Sequence, residues 1–153
     1  MPDEMMTILM ADDDVDDCEL TEHALREARV PNPFRYVHDG VELLEYLRRE
    51  GQYSTPEAAP RPGLILLDLN MPRLDGRQVL SEIKADPDLR RIPVVVLTTS
   101  KAQEDILRSY DLGVNSFITK PVAFAKLIDI MRVLGEYWFE IVKLPESKVV
   151  QRG

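Results

Sequence analysis

The stretch Leu64-Ile65-Leu66-Leu67-Asp68-Leu69-Asn70-Met71-Pro72-Arg73-Leu74-Asp75-Gly76 decides the reading of this chain. Four apolar residues with no turn former among them describe a strand buried on both faces, from Leu64 to Asp68. The run stops at a carboxylate, Asp68, and enters a turn that carries Pro72 and Gly76. In an open parallel sheet, ligands sit in the crevice outside the carboxyl ends of the strands, so Asp68 is expected at the mouth of such a crevice. A strand-terminal Asp also caps loops. One Asp after one strand does not separate the two roles; what meets it there does.

Working outward, Thr7 to Ala11 is a second short apolar run, closed by Asp12, Asp13 and Asp14. From Val15 to Arg29 the positions Cys18, Leu20, Ala24, Leu25 and Ala28 recur at helical spacing until Pro31 stops them. Phe34 to His38 alternates weakly and reads as a strand ending at Asp39-Gly40. A helix follows from Val41 to Arg49, with Val41, Leu44, Tyr46 and Leu47 on one stripe and Gly51 placed to end it. Residues 52–63 hold Pro56, Pro60 and Pro62 and read as a surface loop.

Beyond Gly76, Arg77 to Ala85 carries Val79, Leu80 and Ile83 at helix spacing. Ile92 to Leu97 is another doubly buried strand, ending in Thr98-Thr99-Ser100. Ala102 to Leu112 reads as a helix with Ile106, Leu107, Tyr110 and Leu112 as its apolar set and Gly113 as its stop. Ser116 to Thr119 is a fifth strand before Lys120-Pro121, and a last helix runs from Val122 toward Val142, with Gly135 inside it. Five alternations of strand and helix predict an α/β doubly wound parallel sheet. One domain is expected over residues 1–144, with a flexible tail over 145–153 and no output domain.

Composition sets bounds on function. A chain of 153 residues with 44% apolar and 30% charged residues is ordinary for one globular domain. A net charge of -8 argues against nucleic acid or an anionic membrane as the main partner. One cysteine, Cys18, allows no intramolecular disulfide and fits a reducing compartment. No apolar run approaches the ~20 residues of a membrane span, and the acidic start Met1-Pro2-Asp3-Glu4 has the wrong sign for a secretory signal. A cytoplasmic location is expected.

Functional groups then project from four strand ends: Asp12 and Asp13 after the first, Asp68 after the third, Thr98 after the fourth, Lys120 after the fifth. Three converging carboxylates repel unless a cation intervenes. A hard divalent cation with oxygen ligands answers that need, and Mg2+ takes only one or two carboxylates while keeping several waters. Each residue alone has a plainer role: Asp12 to Asp14 as a helix cap, Thr98 as a strand residue, Lys120 as a solvated charge. Together they favour a site.

The pattern Asp12-Asp13, Asp68 through Gly76, Thr98-Thr99-Ser100 and Lys120-Pro121 resembles the receiver domain of two-component response regulators. The likeness covers about Thr7 to Leu134, and every signature position is filled. It implies a flavodoxin-like five-stranded sheet in the order 2-1-3-4-5, with Asp68 as phosphoacceptor for the phosphohistidine of a sensor histidine kinase. It implies Mg2+, with Mn2+ able to substitute, held by Asp13, Asp68 and the backbone carbonyl of Asn70, with Asp12 acting through a water. Thr98 is then expected to bond a phosphoryl oxygen and Lys120 to pair with another. Pro72 and Gly76 are structural, as is Pro121 after a cis Lys120–Pro121 bond. Phe117 takes the place of the family's switch aromatic; without a hydroxyl, it couples by packing alone. The wording from Val37 to Leu47, the Pro-rich loop and Leu97 to Ser100 are similar to the phytochrome-associated stand-alone receivers. That likeness implies a phytochrome as kinase and light as input. With no output domain expected, the signal leaves by protein contact, or the chain serves as a phosphate sink or relay through a histidine phosphotransfer protein.

The C-terminal helix is longer than a receiver needs. Leu127, Met131, Leu134, Trp138, Ile141 and Val142 continue one apolar stripe flanked by Tyr137 and Phe139. Twenty residues at about 1.5 Å each span roughly 30 Å, more than the sheet it covers. Either the overhang completes its own core, or it offers an aromatic patch to a partner; a homodimer is the expectation.

Two other functions compete. An Asp-nucleophile phosphatase needs a second carboxylate two residues on as general acid, and Asn70 stands there instead. A binding module independent of phosphorylation has no need of the acidic pair, Thr98 and Lys120. The phosphoacceptor reading makes the chain a signalling protein that catalyses only its own phosphoryl transfer and autodephosphorylation. His23 and His38 are too scattered for a metal site. Asp12-x-Asp14-x-Asp16 fails as a calcium loop because Asp17 and His23 stand where Gly and Glu are needed. Asp16, Asp17 and Glu19 read as partners of the first helix's N-terminal dipole.

Overall fold

The sheet is parallel throughout, with strands in the order β2-β1-β3-β4-β5, in a computed structural model that describes residues 6–136. Its elements are β1 (Thr7–Ala11), α1 (Val15–Glu27), β2 (Phe34–Val37), α2 (Gly40–Arg48), β3 (Pro62–Leu67), α3 (Gly76–Ala85), β4 (Val94–Thr98), α4 (Gln103–Asp111), β5 (Ser116–Thr119) and α5 (Phe124–Gly135). Short 3-10 turns occupy Gly51–Tyr53 and Leu89–Arg91. The doubly wound class and its strand order stand as expected from the sequence.

The three central strands are buried at every position, and the two-residue period of a strand sends alternate side chains to opposite faces. Leu9, Ile65, Leu67, Val94 and Val96 pack with Leu43 of α2 and with Val79, Leu80 and Ile83 of α3. Ile8, Met10, Leu64, Leu66, Val95 and Leu97 pack with Cys18 and Leu25 of α1 and Leu127 and Met131 of α5. Each such side chain stabilises by about 1.5–3 kcal/mol on burial, which is why continuous apolar runs, with no alternation, mark these strands. Because β1 pairs with both β2 and β3, the chain changes its direction of travel across the sheet there. The connections at that point diverge and leave a crevice at the carboxyl ends of β1 and β3.

Several local expectations are corrected. Helix α2 ends at Arg48, and the left-handed residue that stops it is Arg49 at φ 55°, two positions before Gly51. Strand β3 starts at Pro62, inside the stretch read as loop, and stops at Leu67, so Asp68 stands just past it. Strand β4 begins at Val94, since Pro93 has no N–H for the ladder and Ile92 closes a 3-10 turn. Half of the apolar stripe assigned to α4 faces outward: Leu107 and Tyr110 are exposed, Ile106 and Leu112 are half-buried, and the fully buried positions of the helix are Asp105 and Ser109. Leu20 of α1 is exposed as well. Tyr137, Trp138, Phe139, Ile141 and Val142 lie outside the described residues, and with them the expected overhang of the last helix. Among the described residues no helix is long and apolar enough to cross a membrane.

Candidate functional site

Strand ends β1, β3, β4 and β5 bring Asp12, Asp13, Asp68, Thr98 and Lys120 together. Carboxylate oxygens of Asp12, Asp13 and Asp68 lie within 4.8 Å of one another, with Asp12 and Asp68 buried and Asp13 exposed. Each is fixed by the chain around it. Asp12 Oδ1 accepts from the Asp14 N–H at 2.9 Å, while Asp14 itself caps α1 through the Asp16 N–H. Asp68 Oδ1 accepts the Thr98 hydroxyl at 2.6 Å and the Asn70 N–H at 3.1 Å. Gly76 is needed to close the loop, since a Cβ there would overlap the Asp68 carbonyl oxygen and the Leu69 Cα. Pro72 lies in the same loop, where its carbonyl accepts the Leu74 N–H.

Lys120 is the cation of the cluster. Its ammonium donates to Asp12 Oδ2 at 2.8 Å and Asp17 Oδ2 at 2.7 Å, and stands 3.6 Å from Asp68 Oδ2. The Lys120–Pro121 peptide is cis. Burial alone lowers the pKa of this ammonium, but hydrogen bonds to Asp12 and Asp17 outweigh it and hold the pKa above the ordinary 10.5. Burial likewise pushes Asp12 up to about 6, against the lowering effect of its bond from Lys120. Three carboxylates, with one ammonium in direct reach, leave the pocket with more negative charge than that ammonium balances. An all-oxygen donor set of this kind fits a hard divalent cation.

Residues 8–132 match the family described as the response regulator receiver domain. The chain belongs to that family. Response regulator Rcp1 of Synechocystis sp. is 42% identical over 140 residues, covering 92% of this chain and 93% of that one. A crystal structure of Rcp1 in its Mn2+-bound form superposes with a TM-score of 0.81 at 41% identity, covering 92% of this chain and 99% of that one. The crystal structure of the phosphorylated cyanobacterial phytochrome response regulator RcpA gives a TM-score of 0.83 at 46% identity, covering 93% and 99%.

Around this receiver's site the structure adds groups that the sequence left out. Asp17, read as a dipole partner only, is a direct partner of Lys120. Its signal is its place, since the first turn of α1 opens at the same strand ends as Lys120. Asn70 is exposed, and its side-chain amide donates to Thr99 Oγ1 at 3.1 Å. Arg77, at the start of α3, forks onto Asp105 at the start of α4, and the Ser100 hydroxyl joins Asp105 at 2.6 Å. Phe117 is half-buried against the α2–α3 side of the core, and its N–H donates to the Tyr110 hydroxyl at 3.1 Å. His38 bonds the Asp12 carbonyl through Nδ1 at 3.3 Å, so it braces the site from behind. Cys18 is fully buried under Asp12, and burial pushes its thiol up to about 12, far from a nucleophile at neutral pH.

Proposed function

We propose that this receiver takes a phosphoryl group from the phosphohistidine of a sensor histidine kinase onto Asp68. The convergence on Asp68 carries the reading: a hydroxyl at 2.6 Å, an ammonium at 3.6 Å and two further carboxylates within 4.8 Å. A carboxylate oxygen of Asp68 attacks phosphorus in line, and the P–O bond forms as the P–N bond to the donor imidazole breaks. The imidazole nitrogen keeps the electron pair. Such transfer passes through a loose transition state that asks mainly for positioning and charge neutralisation. Lys120 supplies one neutralising charge, and the Thr98 hydroxyl turns from Asp68 Oδ1 to a phosphoryl oxygen.

Asp13, Asp68 and the Asn70 carbonyl would hold Mg2+, with Asp12 acting through a water. When bound, Mg2+ adds the remaining neutralisation of the phosphoryl oxygens; the Mn2+-bound Rcp1 structure supports Mn2+ as a substitute. The acyl phosphate adds charge and acceptor oxygens that a bistable surface element reports. Phe117 answers by packing, and the signal leaves by protein contact. The same residues serve autodephosphorylation.

The likeness to RcpA supports a phytochrome kinase as donor and light as input in the cytoplasm. A homodimer through Tyr137, Trp138, Phe139, Ile141 and Val142, and exchange with a histidine phosphotransfer protein, complete the reading. The experiment is incubation with acetyl phosphate and Mg2+, read by intact mass and sedimentation on one sample. One added phosphoryl group, absent in Asp68→Asn and absent with a chelator, is expected. Full labelling of Asp68→Asn refutes the assignment.

A further inference from the structure

Arg77, on α3, reaches the loop after β3 and the start of α4 through one guanidinium. Its Nε and Nη2 donate to the two carboxylate oxygens of Asp105, at 2.8 and 2.6 Å, in a two-pronged contact between the first turns of α3 and α4. Its Nη1 turns back to the loop after β3, toward the Leu69 carbonyl at 3.4 Å, Asn70 Oδ1 at 3.3 Å and the Asp75 carboxylate at 3.1 Å. Asp105 Oδ2 accepts a second donor, the Ser100 hydroxyl, at 2.6 Å. Ser100 stands two residues past Thr98, the residue whose hydroxyl rests on Asp68.

Helix α4 is tied down at its first turn by polar contacts. Leu107 is 56% exposed and Tyr110 49%, while Asp105 and Ser109 are the buried positions of the helix. Its N-cap residue, Ala102, supplies no side-chain hydrogen bond. The attachment is therefore largely polar, and a guanidinium–carboxylate fork is both stronger than a neutral bond and specific in geometry. Such a contact is either made or broken, which gives the helix discrete positions.

We propose that Arg77 is a positioning residue which, through Asp105 and Ser100, holds the β4–α4 loop at Asp68 and carries a change at Thr98 into α4. The proposal rests on Asp68 as phosphoacceptor. The Thr98 hydroxyl now donates to Asp68 Oδ1. A phosphoryl group on Asp68 moves the acceptor oxygens outward, and the hydroxyl that follows them draws Ser100 along. The Ser100–Asp105 bond then breaks, or α4 moves with it. The groove between α3 and α4, about 510 Å³ and lined by Arg77, Gln78, Ser81, Glu104, Asp105 and Arg108, is the space whose shape this changes. Phe117 meets the same helix elsewhere, through the bond from its N–H to the Tyr110 hydroxyl, and Ser100 makes no hydrogen bond to it.

The test is hydrogen exchange over residues 103–111 with acetyl phosphate and Mg2+ in excess, against the same protein without phosphodonor. Only samples whose intact mass shows one phosphoryl group per chain are compared. In the wild type, phosphorylation shifts exchange in α4 by about tenfold, within the range of ordinary allosteric couplings. Ser100→Ala and Arg77→Lys, while still phosphorylated, shift it by less than about twofold, and Ser100→Thr, which keeps the hydroxyl, restores the shift. A wild-type-sized shift in phosphorylated Ser100→Ala and Arg77→Lys overturns the coupling and leaves the acceptor reading standing. A wild-type chain that gains no phosphoryl mass overturns both.

Discussion

Replacing Asp12 by Asn makes the metal-free protein more stable. Asp12 is fully buried, and its pKa rises from 3.8 to about 6 because burial outweighs the bond from Lys120. Below pH 3.8 the carboxyl is protonated in folded and unfolded chains alike and contributes nothing. As pH rises toward about 6 the unfolded chain gives up the proton first, so stability falls, and above that the penalty is complete. At 1.36 kcal/mol for each tenfold in proton affinity, the gap is worth about 3 kcal/mol at neutral pH. Asn keeps an oxygen for the Asp14 N–H but turns its amide nitrogen toward the Lys120 ammonium, so the variant recovers only part of that. Urea unfolding followed by circular dichroism in EDTA reads the difference. The midpoint of Asp12→Asn lies above wild type near neutral pH, and the two converge near about pH 4. Saturating Mg2+ narrows the gap, because a ligand at a hundredfold its Kd adds about 2.7 kcal/mol to the form that binds it and the wild type holds it with one carboxylate more. A variant no more stable than wild type at neutral pH in EDTA refutes the reasoning.

Asp105→Asn has the opposite sign. Arg77 holds this carboxylate below its ordinary 3.8, so its stabilisation is fully present above that value and lost as pH falls through the folded-state value. Thermal unfolding across pH shows a deficit of about 1–3 kcal/mol at neutral pH that closes in acid. Gly76→Ala forces a methyl into the Asp68 carbonyl and Leu69 backbone, neither of which can rotate away. It lowers the urea midpoint by the equivalent of about 1–3 kcal/mol, and it slows phosphoryl uptake as well because the displaced backbone is that of Asp68.

The sheet was legible because β1, β3 and β4 are buried on both faces, which leaves each an unbroken apolar run that no helix among the described residues imitates. Site residues were legible for a related reason. A charged or hydroxyl side chain directly after such a run stands at the crevice whatever the loops do. The first turns of the helices were not. Asp17 and Asp105 stand at helix starts, where acidic residues are common for reasons of capping alone, so their cationic partners Lys120 and Arg77 could not be told from the dipole. Helix α4 misled for a physical cause: its buried positions are an ion-paired carboxylate and a serine, while Leu107 and Tyr110 face outward. Apolar periodicity assumes that burial is apolar.

The site's wiring also bears on when it comes into being. The Lys120–Asp12 contact spans 108 positions, and Asp68 and Thr98 are 30 apart. Contacts of that separation close only after the intervening crossovers are in place. A chain emerging from the ribosome therefore offers Asp68 without its hydroxyl until β4 has joined the sheet, and without its ammonium until β5 has. Neither a fragment nor a half-folded chain has the assembled site, so competence for the chemistry arrives in one step, together with the last strand.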